Sequence, residues 1–375
     1  MSLGQLYLLP PAQQEAILNG PALPPPVGVI PNLENPPNDN LLCIAIITFL
    51  LFLATSALAL AIYVRLFYAK RVYLEDYLAF AGFGLYIGQI YCSLNIVAHY
   101  GLFVHQWDIR VKDLAGILYM VHIGSELYAI CIVLFKSAIL LEWIRIFVPR
   151  ATRGAFYWSC HALMWANVLF YTAIFIVGNT TCKPYAKLWD KTLPGTCNDN
   201  NAIDVATASY NFLSDFLILL LPQRVIWRLH LQTTKKFGIA LVFAIGISAC
   251  VAAAYRLNAS IAFLTKDDEI YVVADIALGT EAEVVCAILV FCAPMFPKAF
   301  TNIKDLFGLV ASILPRPKSL TSTSTNITDQ EWGNQQYERI QLQNSHQSAV
   351  NADNGVSNSN GFALAHPHTH EAYFP

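Results

Sequence analysis

Charge is what this sequence has least of. Only 13% of its 375 residues are Asp, Glu, Lys or Arg, against 56% that are hydrophobic, and the mean hydropathy is +0.47. That balance excludes a soluble globular chain, which would have to expose far more apolar surface than it could cover. The net charge of −2 says nothing about partners, and there is no basic face of the kind that binds nucleic acid. No internal repeat is visible, so an inverted-repeat transporter gains no support. Ten-residue alternation of the kind that builds a membrane β-barrel is missing as well. No lysine or arginine precedes Leu41, so the basic n-region of a cleaved signal peptide is lacking and the first apolar run is expected to act as a signal anchor.

Present instead are seven apolar stretches between Leu41 and Pro297, each bounded by charge. Leu41 to Val64 carries no charged side chain and is long enough to cross a hydrocarbon core of about 30 Å. Backbone groups in lipid must be satisfied within the segment, which makes each stretch a helix. The reading is an all-α, polytopic membrane protein with seven transmembrane helices over residues 41–67, 77–98, 114–144, 154–178, 203–227, 237–264 and 270–297. Three regions follow: a Pro/Asn-rich tail (1–40), the seven-helix domain (41–310) and a Ser/Thr/Asn/Gln-rich tail (311–375) too poor in aliphatic residues to build a core, hence expected to be disordered.

Basic residues set the orientation. Arg65, Lys70 and Arg71 follow the first stretch, Arg145, Arg150 and Arg153 the third, and Arg224, Arg228, Lys235 and Lys236 the fifth. The alternate connections mix theirs with acids, as in Arg110 and Lys112 beside Asp108 and Asp113. The positive-inside rule then places the N-terminus outside and the C-terminus in the cytosol. On the outer side lie Cys182 and Cys197, in an oxidising compartment where a bridge is favoured over two free thiols. It would close a loop of about fifteen residues, worth about 3 kcal/mol on the chain-entropy model. Asn179-Thr180-Thr181 is a glycosylation sequon on the same face, next to the end of the fourth span, while Asn326-Ile327-Thr328 is expected to be cytosolic and unmodified.

Ionisable groups in lipid cost at least about 2.5–3.5 kcal/mol on insertion scales, so each needs an explanation. Those within the spans are Glu126, Lys136, Glu142, Asp215, Arg256, Glu281 and Glu283. At about 1.5 Å per residue, Glu126, Asp215, Arg256 and Glu281 fall about 12–18 Å below the outer surface, with Lys136 deeper. Arg256 is expected to pair with Glu281, because the sixth and seventh spans share a short loop. Asn211 and Asp215 share a helix face, and Asp215 reaches Lys136 if tilts bring their depths together. Glu142 and Arg145 read as a local helix pair. The candidate polar set is therefore Glu126, Lys136, Asn211, Asp215, Arg256 and Glu281, either holding the bundle together or lining a ligand pocket. His99, His105 and His122 lack H-x-x-x-H or H-E-x-x-H spacing, so neither a zinc site nor a catalytic set is assigned. His366, His368 and His370 read as incidental histidines of the tail.

Several short patterns, in order, resemble the fungal rhodopsin-like integral membrane family: Glu75-Asp76-Tyr77, His99-Tyr100-Gly101, His105-Gln106-Trp107-Asp108, Tyr128 with Lys136-Ser137, Arg145-Ile146-Phe147, Cys182-Lys183-Pro184 with Trp189 and Cys197, then Asn211, Asp215, Leu221-Pro222, Trp227, Arg256 and Glu281. The resemblance covers roughly residues 41–310, and Glu142-Trp143 departs from its usual apolar run. That family includes receptor-like heptahelical proteins of filamentous fungi and a member encoded in a mycotoxin gene cluster. The resemblance implies a multi-pass membrane protein, in the plasma membrane or an internal one, with a receptor-like role and a link to secondary metabolism. A retinal Schiff base is not expected, because Ile270 to Pro297 contains no lysine. The leading expectation is a non-enzymatic sensor in the lipid bilayer with a small-molecule ligand of unknown identity and a cytosolic signalling partner. No Asp-Arg-Tyr ends the third span, so coupling to a G protein has no motif behind it. An exporter of a small metabolite and a membrane enzyme of the same pathway are the alternatives.

Overall fold

The computed structural model describes residues 3–148, 154–198, 201–228 and 233–296. A 3-10 turn (Leu3–Leu8) and a short helix α1 (Pro11–Leu18) precede seven long helices: α2 (Asn40–Tyr63), α3 (Leu74–His99), α4 (Val111–Phe147), α5 (Ala155–Thr180), α6 (Asn201–Arg228), α7 (Thr233–Thr265) and α8 (Glu269–Cys292). All seven are long and apolar enough to cross a membrane. The expected tail of residues 311–375, with its three histidines and the second sequon, lies outside the described residues, as do Arg150 and Arg153.

The helices close into a ring. Each packs on its successor in the chain, and α8 returns against α2, while α4 leans inward far enough to touch α8 as well. α4 therefore supplies much of the core: Phe135, Lys136, Leu140 and Glu142 are almost fully enclosed. Lipid tails give helices no apolar reason to associate, so close contact and internal hydrogen bonds must hold the ring. Gly82 on α3 allows a close approach, since a Cβ there would come within 2.9 Å of the Phe135 ring on α4. Outward faces are apolar and aromatic, with Phe49, Phe52, Trp158, Trp165, Leu169 and Val251 exposed, as suits contact with lipid.

At α4 the sequence reading needs a correction. Depths counted from span starts put Asp215 level with Glu126 and leave Lys136 lower. The structure sets Asp215 beside Lys136 instead, ten residues or about 15 Å further along α4 than Glu126. With 37 residues, α4 is roughly 55 Å long and overruns a bilayer, so its first turn is a poor origin for depth.

The N-terminal tail is folded onto one end of the ring, called here the N-terminal face. Gly20 accepts a backbone bond from Val111, and Ala22 donates one to Ile109, so the chain after α1 forms a short bridge with the start of α4. The α5–α6 connection covers the same face. Cys182 and Cys197 are joined by a disulfide and pair as the antiparallel strands β1 (Cys182–Lys183) and β2 (Thr196–Cys197). Gly195 precedes β2 with φ of +153°, a conformation that favours glycine, and packs so closely on the Lys183 carbonyl that a side chain would not fit.

Candidate functional site

Beneath this cover lies a cavity of about 660 Å³, lined by every long helix except α2. Gln89, Glu126, Phe175, Asp204, Arg256 and Thr280 are contributed by α3 through α8 in turn. Leu3 and Ala22 of the tail and Leu188, Lys191 and Cys197 of the disulfide loop close the mouth. A volume in this range suits a ligand of drug-like size, mostly apolar with a few polar groups.

Glu126 sits half-buried in the wall, its Oε1 accepting from Asn179 Nδ2 at 2.8 Å. Tyr185 of the loop donates to Asn179 Oδ1 at 2.8 Å and its hydroxyl lies 3.0 Å from His122 Nε2. The Trp189 ring stacks on His122 and meets Tyr119 edge-on. These contacts fasten the disulfide loop to α4 and α5. Asn179 is thus held by its neighbours: the amide nitrogen that a glycan would occupy donates to Glu126 and to the Phe175 carbonyl.

The floor of the cavity opens onto a buried polar hub. Arg256 Nη1 donates to the Tyr128 hydroxyl at 2.7 Å and lies 3.5 Å from Glu283 Oε2. Tyr128 donates to Glu283 Oε1 at 2.7 Å, and Asn211 Nδ2 donates to the same oxygen at 2.5 Å. From Asn211 the network steps downward. Its Oδ1 accepts from Tyr171 at 2.7 Å and from Lys136 Nζ at 2.6 Å. Lys136 also reaches Ser214 Oγ at 2.6 Å and pairs with Asp215 at 2.8 Å. Five helices, α4 to α8, thus share one hydrogen-bonded path, and its charged ends balance: Arg256 with Glu283, Lys136 with Asp215.

The expected Arg256–Glu281 pair does not form. Residues two apart on a helix are turned by about 200°, so Glu281 and Glu283 face opposite ways. Glu283 points to Arg256 and the hub, whereas Glu281 turns toward α3 and accepts from Ser93 Oγ at 3.2 Å. Glu283 is the residue the candidate set omitted. Its signal was present in the sequence, since two carboxylates in one span each require their own partner. Tyr128, Tyr171 and Gln89 carried no such signal, because a neutral polar residue in a span is ordinary.

A second charged cluster sits at the opposite end of the ring. Glu142 Oε1 accepts from Arg65 at 2.7 Å and from Arg145 at 3.2 Å; Arg65 also pairs with Asp76, and Arg145 with Glu75 at 3.0 Å. Asp76 further caps α3, its Oδ2 accepting from the Tyr73 amide at 2.9 Å. The Glu142–Arg145 pair is therefore one edge of a five-residue network joining α3, α4 and the π-helical turn after α2. Arg65, read only as a topology marker, is buried at its centre.

The three histidines are held apart. His105 lies 2.6 Å from Asp268 between the rings of Trp107 and Tyr271, His99 is near the Asn95 carbonyl, and His122 is under the loop. Among the described residues no group of three or more His, Cys, Asp and Glu side chains could hold a metal ion.

Residues 60–302 match the fungal rhodopsin domain. The chain belongs to the fungal rhodopsin domain family. It is 35% identical over 301 residues to Fugralins biosynthesis cluster protein 2 of Gibberella zeae, a match covering 78% of this chain and 75% of the relative. A SAT4 family membrane protein of Emericella nidulans is 33% identical over 62% of this chain and 59% of its own length. Receptor GIN3 of Arthrobotrys oligospora is 28% identical over 61% of this chain and 55% of its own. No solved structure matches the chain. The hub and the Arg65 cluster lie wholly inside the fungal rhodopsin domain, whereas the tail that covers the cavity, Leu3 to Ala22, precedes the matched residues.

Proposed function

We propose that this fungal rhodopsin-domain protein is a sensor: its cavity takes up a small molecule, and occupancy is passed through the hub to the opposite face. The observation that carries the reading is the direct contact between the two. Arg256 lines the cavity and bonds to Tyr128 and Glu283, from which a continuous path runs to Lys136 and Asp215. A ligand that moves Arg256 must rearrange this linked set of charges, and a network of that kind can carry binding at one place to another. In this reading the N-terminal face looks away from the cytosol, with the basic connections after α2, α4 and α6 on the inner side. Phe135, Leu140, Ile288 and Phe291, further along α4 and α8 than the Tyr128–Glu283 contact, are all but fully enclosed, which speaks for a closed-bottom site rather than an export route.

We read the domain as working without retinal. α8 carries no lysine, and Lys136, the lysine deep in a described span, is outside the cavity lining and engaged by Asp215, Asn211 and Ser214. Membership beside a relative named for a biosynthesis cluster, and another named a receptor, supports a role in sensing that governs a metabolite pathway.

The test is a deletion strain of the fungus that carries the protein. Transcripts of the neighbouring genes would be measured alongside metabolites inside the cells and in the medium. A sensor predicts that transcripts and product fall together. Product accumulating inside the cells while transcripts stay normal would replace sensing with export.

A further inference from the structure

The cavity also indicates what kind of ligand it takes. We propose that it binds an uncharged amphipathic molecule presenting an amide-like group, one acceptor beside one donor, to Arg256 and Gln89, with an apolar body filling the rest. This rests on the reading of the cavity as a ligand site.

Two buried atoms in the wall lack partners, and they are of opposite kind. Gln89 is 4% exposed; its Nε2 donates to Thr280 Oγ1 at 3.3 Å, and Oε1 has no partner. Thr280 gives its own proton to the Ala277 carbonyl, so it has none to offer Gln89. Arg256 is 7% exposed; its Nη1 serves Tyr128 and Glu283, and Nε has no partner. Both side chains flank the same point of α8: Gln89 bonds Thr280, while Arg256 packs on the adjacent Gly279, where a Cβ would lie 3.3 Å from Arg256 Cβ. An orphaned acceptor and an orphaned donor beside adjacent residues of α8 call for a group that can answer both, since each unpaired buried atom carries a desolvation cost. A primary or secondary amide does so once the two side chains turn to bring these enclosed atoms to the cavity.

Charge argues against the ionised alternatives. Arg256 faces Glu283 and Asp204, and Lys191 faces Glu269. Glu126 adds a further carboxylate, so a carboxylate ligand would enter a site already rich in negative charge. An ammonium would be drawn to Glu126 and Asp204, but it has no acceptor for Arg256 Nε and would set a second cation beside the guanidinium. The remaining lining, including Leu114, Leu118, Phe175, Phe263 and Ile276, suits a hydrocarbon or aromatic body.

The experiment compares octanamide, octanoate and octylamine, equal in chain length, on the purified full-length protein in nanodiscs, with the thermal midpoint as readout. Wild type is set against Gln89→Leu, which removes the acceptor, and Ala277→Phe, which narrows the cavity one turn of α8 before Thr280. Octanamide should bind at least about ten-fold more tightly than either charged probe, lose about ten-fold in Gln89→Leu, as expected for one buried hydrogen bond, and bind more weakly to Ala277→Phe. A larger effect from octylamine or octanoate that Ala277→Phe weakens would overturn the amide proposal and leave the cavity as a ligand site. Octanamide binding unchanged in Gln89→Leu, or no effect from any probe, would overturn it too. The transcript comparison in the deletion strain decides the sensor reading independently.

Discussion

Replacing Lys136 by methionine removes the one cation that forms an ion pair with Asp215 among the described residues. The other partners of Lys136 are each provided for: Asn211 Oδ1 keeps the Tyr171 hydroxyl, and Ser214 keeps its bond to the Asn211 carbonyl at 2.9 Å. Asp215 Oδ1 loses its ion pair with Lys136, and Oδ2 has no hydrogen-bond partner among the described residues to begin with. An uncompensated buried charge of this kind costs about 3–5 kcal/mol. Asp215→Asn is milder, because Lys136 keeps Asn211 and Ser214, and should cost about 1–3 kcal/mol. The double variant Lys136→Met/Asp215→Asn removes both charges and should be nearer to wild type than Lys136→Met alone, which requires a coupling larger than the Asp215→Asn loss, about 3 kcal/mol. Melting in detergent, followed by the amount of monodisperse protein left after heating, reads these differences as a fall of roughly 10 °C for Lys136→Met. If the double variant loses the sum of the two single losses, the pair does not interact and the account of the hub is wrong.

Other outcomes follow from the same geometry. Glu142→Gln should destabilise the bundle by about 1–3 kcal/mol, because Arg65 and Arg145 both lose their shared oxygen as an anion, and the same melt checks it. Replacing Cys182 and Cys197 together by serine should cost about 3 kcal/mol and, by loosening the loop over the cavity, speed the release of any bound probe. Protein made in a fungal host should show no change in gel mobility on Asn179→Gln or on glycosidase treatment, since the Asn179 amide is committed to Glu126 and Phe175; a shift would show that this face opens during maturation. Deleting residues 3–18 should expose the cavity, so that a cysteine placed at Ala277 reacts faster with a water-soluble maleimide than in the full chain.

Much of this architecture is written in the sequence in coarse form. Seven apolar runs bounded by charge give seven helices because lipid leaves the backbone no alternative. Residue types alone also single out Lys136, Asp215 and Arg256, since a charged group in lipid is rare and must find company, and Asn211 follows from the helix face it shares with Asp215. Sequence does not give who pairs with whom. Arg256 selects Glu283 over Glu281 through the phase of α8, two residues and slightly more than a half-turn apart, and no hydropathy window registers phase. Depth fails at α4 for a similar reason, as a helix longer than the bilayer carries no mark of where lipid begins. The cavity was out of reach altogether. It is built from scattered residues of six helices, a loop and a tail, joined only by the fold.

The most direct test of the central claim is to narrow the cavity and watch the cell. Ala277→Phe, introduced at the native locus, leaves the hub residues untouched, and its folding is checked by abundance and monodispersity in detergent. The sensor account predicts a folded protein whose strain shifts toward the transcript and metabolite pattern of the deletion. A strain with normal transcripts and normal product, carrying the variant at normal abundance, would contradict it.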